Sequence, residues 1–242
     1  MNEGKKILCV SDRHYLDINA ERSKADYLLE LVKNNNYDKI ILVGDTIDLA
    51  KTTVLSTKCI RFLDYVKNKL PVGTVVALEG NHEWPVDLAK EIYTKAGCTY
   101  TDMYRFKSGD KTFIAFHGHF FDPLCKDPAN INNRLIIKFH HWFDLIFNTN
   151  IQRWIRSRSS WAAKRLDDIE NDAIVEHSAA MAVKAASTRY DYVLMGHTHN
   201  EGITKHLRKD RESVMTYVNC GSWERETYVE ILDGKVELKN FS

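Results

Sequence analysis

Five short blocks of this 242-residue chain carry residue types that bind metal ions. They are Asp12-Arg13-His14, Gly44-Asp45-Thr46-Ile47-Asp48, Gly80-Asn81-His82-Glu83, His117-Gly118-His119 and Gly196-His197-Thr198-His199. Asp, Asn and neutral His are hard-to-borderline ligands. Together they suit Mn²⁺, Zn²⁺ or Fe better than Ca²⁺, which asks for more oxygens. Two ions held ~3.5–4 Å apart need a bridging ligand, and a carboxylate with two oxygens supplies one. We expect the five blocks to converge on one metal pair, with Asp45 as the shared ligand. Such a pair lowers the pKa of a shared water and clamps phosphate oxygens.

Each block follows an apolar run. Lys6 to Val10 reads as a buried strand, Lys39 to Val43 as a second and Val75 to Leu78 as a third. Between them, apolar residues recur at helical spacing over Glu21 to Asn34 and again over Leu55 to Leu70, the latter closed by Pro71 and Gly73. Val86 to Ala96 reads as a short helix stopped by Gly97. Alternating strand and helix is the signature of a mostly parallel sheet, in which ligands gather at the carboxyl ends of the strands. From Thr99 the texture changes to β. A hairpin runs from Arg105 through Thr112 to Phe116, Tyr192 to Met195 reads as a buried strand, and Val214 to Val218, Thr227 to Leu232 and Lys235 to Leu238 close the chain, with an Asp233-Gly234 turn. Leu166, Ile169, Ala173, Ala180 and Val183 mark a further helix.

Composition excludes rather than identifies. A hydrophobic content of 44% and a net charge of +1 are ordinary for a globular protein. The five cysteines are scattered and form no C-x-x-C pair, which argues against a disulfide framework or a structural zinc site. Ile7 to Val10 is too short for a signal-peptide core, and the apolar stretch Leu135 to Phe147 is too short and too interrupted to span a bilayer. From these features we expect a cytoplasmic protein, with peripheral membrane contact left open.

The ordered set Asp12-x-His14, Gly44-Asp45-x-x-Asp48, Gly80-Asn81-His82-Glu83, His117 and Gly196-His197-x-His199 resembles the calcineurin-like metallophosphoesterase superfamily. The resemblance implies an α/β fold over residues 1–242 as one domain. That fold is a four-layer α-β-β-α sandwich with a helical cap insertion at about 121–165. It also implies two divalent metal ions, Mn²⁺ foremost, with Zn²⁺, Fe or Mg²⁺ as substitutes. One ion would be held by Asp12, His14, Asp45 and His199, the other by Asp45, Asn81, His117 and His197. His82 would then stand near the leaving-group oxygen, with Asp48 orienting it and favouring its protonated form. More narrowly, the length, the insertion and Asn219-Cys220-Gly221-Ser222-Trp223 are similar to the UDP-2,3-diacylglucosamine pyrophosphohydrolases, whose cap receives acyl chains. The chain departs from that family in carrying His82-Glu83 where the family carries Arg-Asp, and His119 where the family carries Asp.

Residues 121–165 are aromatic and basic, with Asp122, Asp127 and Asp144 as the only acids. Phe139, Trp142, Phe143 and Phe147 either pack a helix on the body or form an apolar cleft or membrane-facing surface. Arg153, Arg156, Arg158, Lys164 and Arg165 form a solvated face, hold a pyrophosphate or nucleic-acid backbone, or rest on anionic lipid. Arg156 and Lys164 are the substrate candidates there. His119 reads equally as a substrate contact or as part of a structural turn. The sequence thus points to a phosphoesterase acting on a phosphodiester or pyrophosphate, such as a nucleotide-linked lipid or sugar. A nuclease and a non-catalytic scaffold on the same fold are the alternatives.

Overall fold

Period-two burial organises the sheet layers. The computed structural model describes residues 5–15, 26–50, 55–121, 189–207, 214–222 and 225–241. In β1 (Lys6–Val10) Leu8 and Val10 face one way, Ile7 and Cys9 the other. The same split separates Ile40 and Leu42 from Ile41 in β2 (Lys39–Leu42), and Val75 and Ala77 from Val76 and Leu78 in β3 (Val75–Leu78). Successive side chains of a strand point to opposite faces, so a strand apolar throughout must be covered on both.

One face is covered by helices. Leu28, Leu29 and Val32 of α1 (Tyr27–Asn34) join one apolar cluster on Leu8, Leu42 and Val75. So do Cys59, Phe62, Leu63 and Val66 of α2 (Thr57–Lys69), and Ala89 and Tyr93 of α3 (Val86–Lys95). The N-caps set where two of these helices begin: Asp26 accepts from Leu29 N at 3.4 Å and Ser56 from Cys59 N at 3.1 Å. Periodicity places Asp26 inside a helix starting at Glu21. Its side chain caps the helix instead, as short polar side chains favour caps over helix interiors.

The other face meets a second sheet. The six-stranded sheet has the order β11-β10-β1-β2-β3-β4, with β4 (Thr99–Thr101), β10 (Thr227–Leu232) and β11 (Lys235–Asn240). The five-stranded sheet runs β5-β6-β7-β9-β8, from β5 (Met103–Ser108), β6 (Lys111–Phe116), β7 (Tyr192–Met195), β8 (Gly202–Leu207) and β9 (Val214–Asn219). Phe113 and Ala115 of β6, Leu194 of β7 and Val218 of β9 pack between the sheets against Ile7, Ile41, Val76, Val229 and Ile231. The fold is therefore mixed α/β with two stacked sheets. The remaining helical layer and the cap expected at 121–165 fall, apart from Phe121, outside the described residues. Sequence pattern omits β4, which is three residues long, and β8, whose residues are mostly exposed and carry no alternation. Among the described residues, no helix is long and apolar enough to cross a membrane.

The topology positions the chemistry. β1, β2 and β3 are parallel neighbours, as are β6 and β7. Their carboxyl ends release the five blocks on one edge of the stack. Phe113 sits at the centre of the inter-sheet layer, stacked on Phe106 at 4.8 Å and on Tyr192 at 4.6 Å. Phe113→Ala should therefore lower the unfolding free energy by about 3–5 kcal/mol, read by urea denaturation.

Candidate metal centre

Five of the chemistry-bearing residues have left-handed backbones: Asp12 at φ 53°, His14 at 48°, Asp45 at 49°, His197 at 69° and His199 at 54°. Non-glycine residues adopt this region at a cost of order 1–3 kcal/mol each. The cost is met by backbone hydrogen bonds that tie the blocks together. Asp12 N donates to Gly44 O at 3.1 Å, His14 N to Asp45 O at 2.9 Å, Tyr15 N to Thr46 O at 2.9 Å and Gly196 N to His117 O at 3.1 Å. Gly44 sits beneath the His117 ring at φ 79°, where a Cβ would collide with that imidazole.

The structure gathers Asp12, His14, Asp45, Asp48, Asn81, His82, His117, His197 and His199 in one place. Asp12, His14 and His199 form one group and Asp45, His117 and His197 a second, with the ligand atoms of each within 4.8 Å of one another. His199 Nε2 lies 3.1 Å from Asp12 Oδ1, and His117 Nε2 lies 3.2 Å from Asp45 Oδ2 and 4.0 Å from Asp12 Oδ1. Asn81 Oδ1 is 3.2 Å from His117 Nε2. A third combination, His14, Asp45 and His82, shares its first two members with this set. His82 Nδ1 meets Asp48 Oδ1 at 2.8 Å, leaving Nε2 3.9 Å from Asp45 Oδ2. His119 lies beside the cluster, its ring 5.7 Å from that of His117, and belongs to none of the three groups. Arg156 and Lys164 lie outside the described residues.

The electrostatics explain why these groups stay together. Burial alone would raise the Asp12 carboxyl, but the His199 and His117 charges hold it down at about 2. Burial likewise opposes ionisation of Asp45 and Asp48. His117 and His82 hold Asp45 well below the ordinary range, and His82 and His14 do so for Asp48. Burial works against a charge on His117, yet Asp45 and Asp12 push it up to about 10. The buried carboxylates thus demand balancing positive charge, which a dication supplies with the imidazoles neutral.

The donor set fits such an ion. Both ring nitrogens of His14 are buried and make no well-formed hydrogen bond among the described residues; Nδ1 is 3.5 Å from Asp48 Oδ2 and Nε2 3.9 Å from Asp12 Oδ1. Ligand atoms each about 2.0–2.2 Å from one ion stand roughly 3–4 Å apart, as His14 Nε2 and Asp12 Oδ1 do. His117 Nδ1 meets Val43 O at 2.9 Å, which leaves Nε2 toward Asp45.

Two residues in the site carry work that their motifs did not reveal. Glu83 accepts hydrogen bonds from the backbone of the Gly44 block, although it was legible only as the last letter of Gly80-Asn81-His82-Glu83. Asn219 Nδ2 donates to Gly196 O at 3.1 Å and Thr198 Oγ1 at 2.8 Å, so it braces the loop bearing His197 and His199. It was legible only as the first residue of Asn219-Cys220-Gly221-Ser222-Trp223, at a strand end.

Residues 5–201 match the family described as calcineurin-like phosphoesterase, and the chain belongs to that family. The family is metal-dependent, and the clusters above are groups that can hold metal ions. Among solved structures, the chain is similar to a novel archaeal phosphodiesterase, with 15% identity over 97% of this chain and 98% of that one, at a TM-score of 0.47. It is also similar to YfcE, a phosphoesterase from E. coli, with 14% identity, 98% and 100% coverage and a TM-score of 0.46. A Vps29 single mutant from Entamoeba histolytica is 11% identical, with 97% of each chain covered and a TM-score of 0.47. No curated protein matches the chain.

Because Asn219 is buried and its amide is a donor to the histidine loop, Asn219→Ala should cost about 1–3 kcal/mol in urea denaturation. Asn219→Asp should not rescue it, since a carboxylate cannot donate to Gly196 O.

Proposed function

We propose that this chain is a phosphoesterase that uses two divalent metal ions, Mn²⁺ foremost, to hydrolyse a phosphodiester or pyrophosphate bond. One observation carries the reading: two ligand groups, Asp12-His14-His199 and Asp45-His117-His197, stand side by side, each with two buried members and one half-buried histidine. Asp45 would be shared, so that the first ion takes Asp12, His14, Asp45 and His199 and the second Asp45, Asn81, His117 and His197. When bound, such ions supply Lewis acidity, activating a water and neutralising charge on the phosphoryl oxygens.

The chain's own residues supply the rest. Asp48 holds His82 through Nδ1 at 2.8 Å and favours its protonated form through the opposite charge. That leaves Nε2 directed at the cluster, where it can donate a proton to the departing oxygen. Ala50 N donates to His82 O at 3.0 Å and His82 N donates to Asp45 Oδ1 at 2.8 Å, so the loop cannot swing the imidazole away. His119 is the substrate-contact candidate next to His117, with Phe120 exposed beyond it; their rings are 5.6 Å apart. Arg156 and Lys164 remain candidates for an anionic part of the substrate, and cap contact with anionic lipid belongs to the same reading.

The purified protein should bind about two Mn²⁺ per chain and hydrolyse an aryl phosphodiester with Mn²⁺ present. Asp45→Ala should remove both properties. Absence of any bound transition metal together with absence of hydrolysis would leave the non-catalytic scaffold as the correct reading. Activity confined to oligonucleotides, falling steeply with salt, would make the protein a nuclease.

A second measurement isolates His82. His82→Ala should keep its metals yet lose ~10²–10⁴-fold in kcat on an alkyl phosphodiester. The loss should be much smaller on a nitrophenyl ester, whose leaving group needs no proton. Equal losses on both would assign His82 a different role.

A further inference from the structure

Glu83 is fully buried, sits two residues after Asn81 and has no part in the ligand groups described above. Its two oxygens are nevertheless crowded with donors. Oε2 accepts from Asp45 N at 2.8 Å and Gly80 N at 3.0 Å. Oε1 accepts from Thr46 N at 2.7 Å, Ile47 N at 3.2 Å and the Tyr93 hydroxyl at 3.2 Å. Three of these N–H groups are consecutive and follow Gly44 at φ 79° and Asp45 at φ 49°. Successive amides turned inward by left-handed residues form a concave nest for an anion. Such nests usually take an external phosphate or cluster; this one is filled by the chain's own carboxylate.

We propose that Glu83 is the positioning residue of the metal centre, the internal anion that shapes the Gly44–Ile47 turn and so aims the Asp45 carboxylate at the ions. The inference rests on the two-metal reading above. The lock works in both directions. Glu83 holds the Asp45 turn, and Asp45 Oδ1 accepts His82 N from the residue just before Glu83. Gly80 completes it, because a Cβ there would strike the Asp45 carboxylate and the Glu83 Oε2. Both oxygens act as acceptors, so an amide is no substitute: Gln would turn its NH₂ toward backbone N–H groups. Burial and the Asp45 charge push the Glu83 carboxyl up to about 8, and the backbone donors work against that shift.

The test uses Glu83→Gln and Glu83→Asp in the full chain, with Mn²⁺ as the probe. Thermal unfolding is followed with and without Mn²⁺, and Mn²⁺ binding is titrated calorimetrically. E83Q should fold, unfold at a lower Tm without metal and bind Mn²⁺ about 10–100-fold more weakly. Its Mn²⁺-induced rise in Tm should shrink accordingly. E83D keeps the carboxyl but is one methylene too short to reach every donor. It should bind at least about threefold more weakly, and it decides the matter if E83Q does not fold. Variants with a lowered metal-free Tm but wild-type Mn²⁺ affinity would show that Glu83 is merely structural and overturn the inference. A wild-type chain that binds no Mn²⁺ overturns the two-metal reading and this one with it.

Discussion

Four carboxylates buried at one edge of a two-sheet stack are the constraint on which the rest of this structure depends. Asp12, Asp45, Asp48 and Glu83 are each at most 2% exposed. A carboxylate taken out of water without partners costs several kcal/mol, and four together repel one another. They are tolerable only where positive charge and N–H groups converge on them. Each finds a different solution. Asp12 and Asp45 face imidazoles, Asp48 is pinned between His82 and His14, and Glu83 is wrapped by backbone amides. Asp12 and Asp45 thus belong to the ligand groups, while Asp48 and Glu83 stand behind them and hold His82 and the Asp45 turn.

The fold makes that segregation possible. Parallel strands deliver successive blocks to the same edge, and the strand ends leave backbone groups unused by the ladders. Those groups bind the neighbouring blocks instead of water. The Asp12 block donates to the Gly44 block, and the Gly196 block donates to the His117 block, so one set of bonds lies within each sheet. Side chains then cross between the sheets, as when His197 N reaches Asp12 Oδ2 at 3.0 Å. The left-handed residues are the mechanical consequence. Positive φ at both Asp12 and His14 takes the chain out of extended geometry as the strand ends, where their N–H groups bond to the neighbouring block.

This division explains what was legible in the sequence. The strand cores were readable because Ile7 to Val10, Ile40 to Leu42 and Val75 to Leu78 are apolar on both faces. The ligand blocks were readable because each directly follows such a run. The partition into two sheets was readable only through the family resemblance, since nothing local in Lys6–Val10 says that it pairs with Thr227–Leu232, more than two hundred residues later. β4 and β8 escaped for lack of length and of alternation. Glu83 and Asn219 escaped for a different reason. Their work is hydrogen bonding to the backbone of distant loops, and a backbone partner leaves no trace in residue type. A ligand histidine declares itself by chemistry, whereas a residue that braces a loop declares itself only once the loop is seen.

The same reasoning separates reaction class from substrate. What a metal cluster can do depends on donors a few ångströms apart, and here those donors sit on short side chains at strand ends, held by a network with little freedom. Asp45 lies at its centre, bonded through its own N–H to Glu83 and through Oδ1 to His82. Substrate choice depends instead on the rim. The line from His117 through His119 to the exposed Phe120 is the part of that rim that the described residues contain. It passes from a ligand candidate to an apolar ring within two ring contacts, so polar and apolar surface meet between His117 and Phe120.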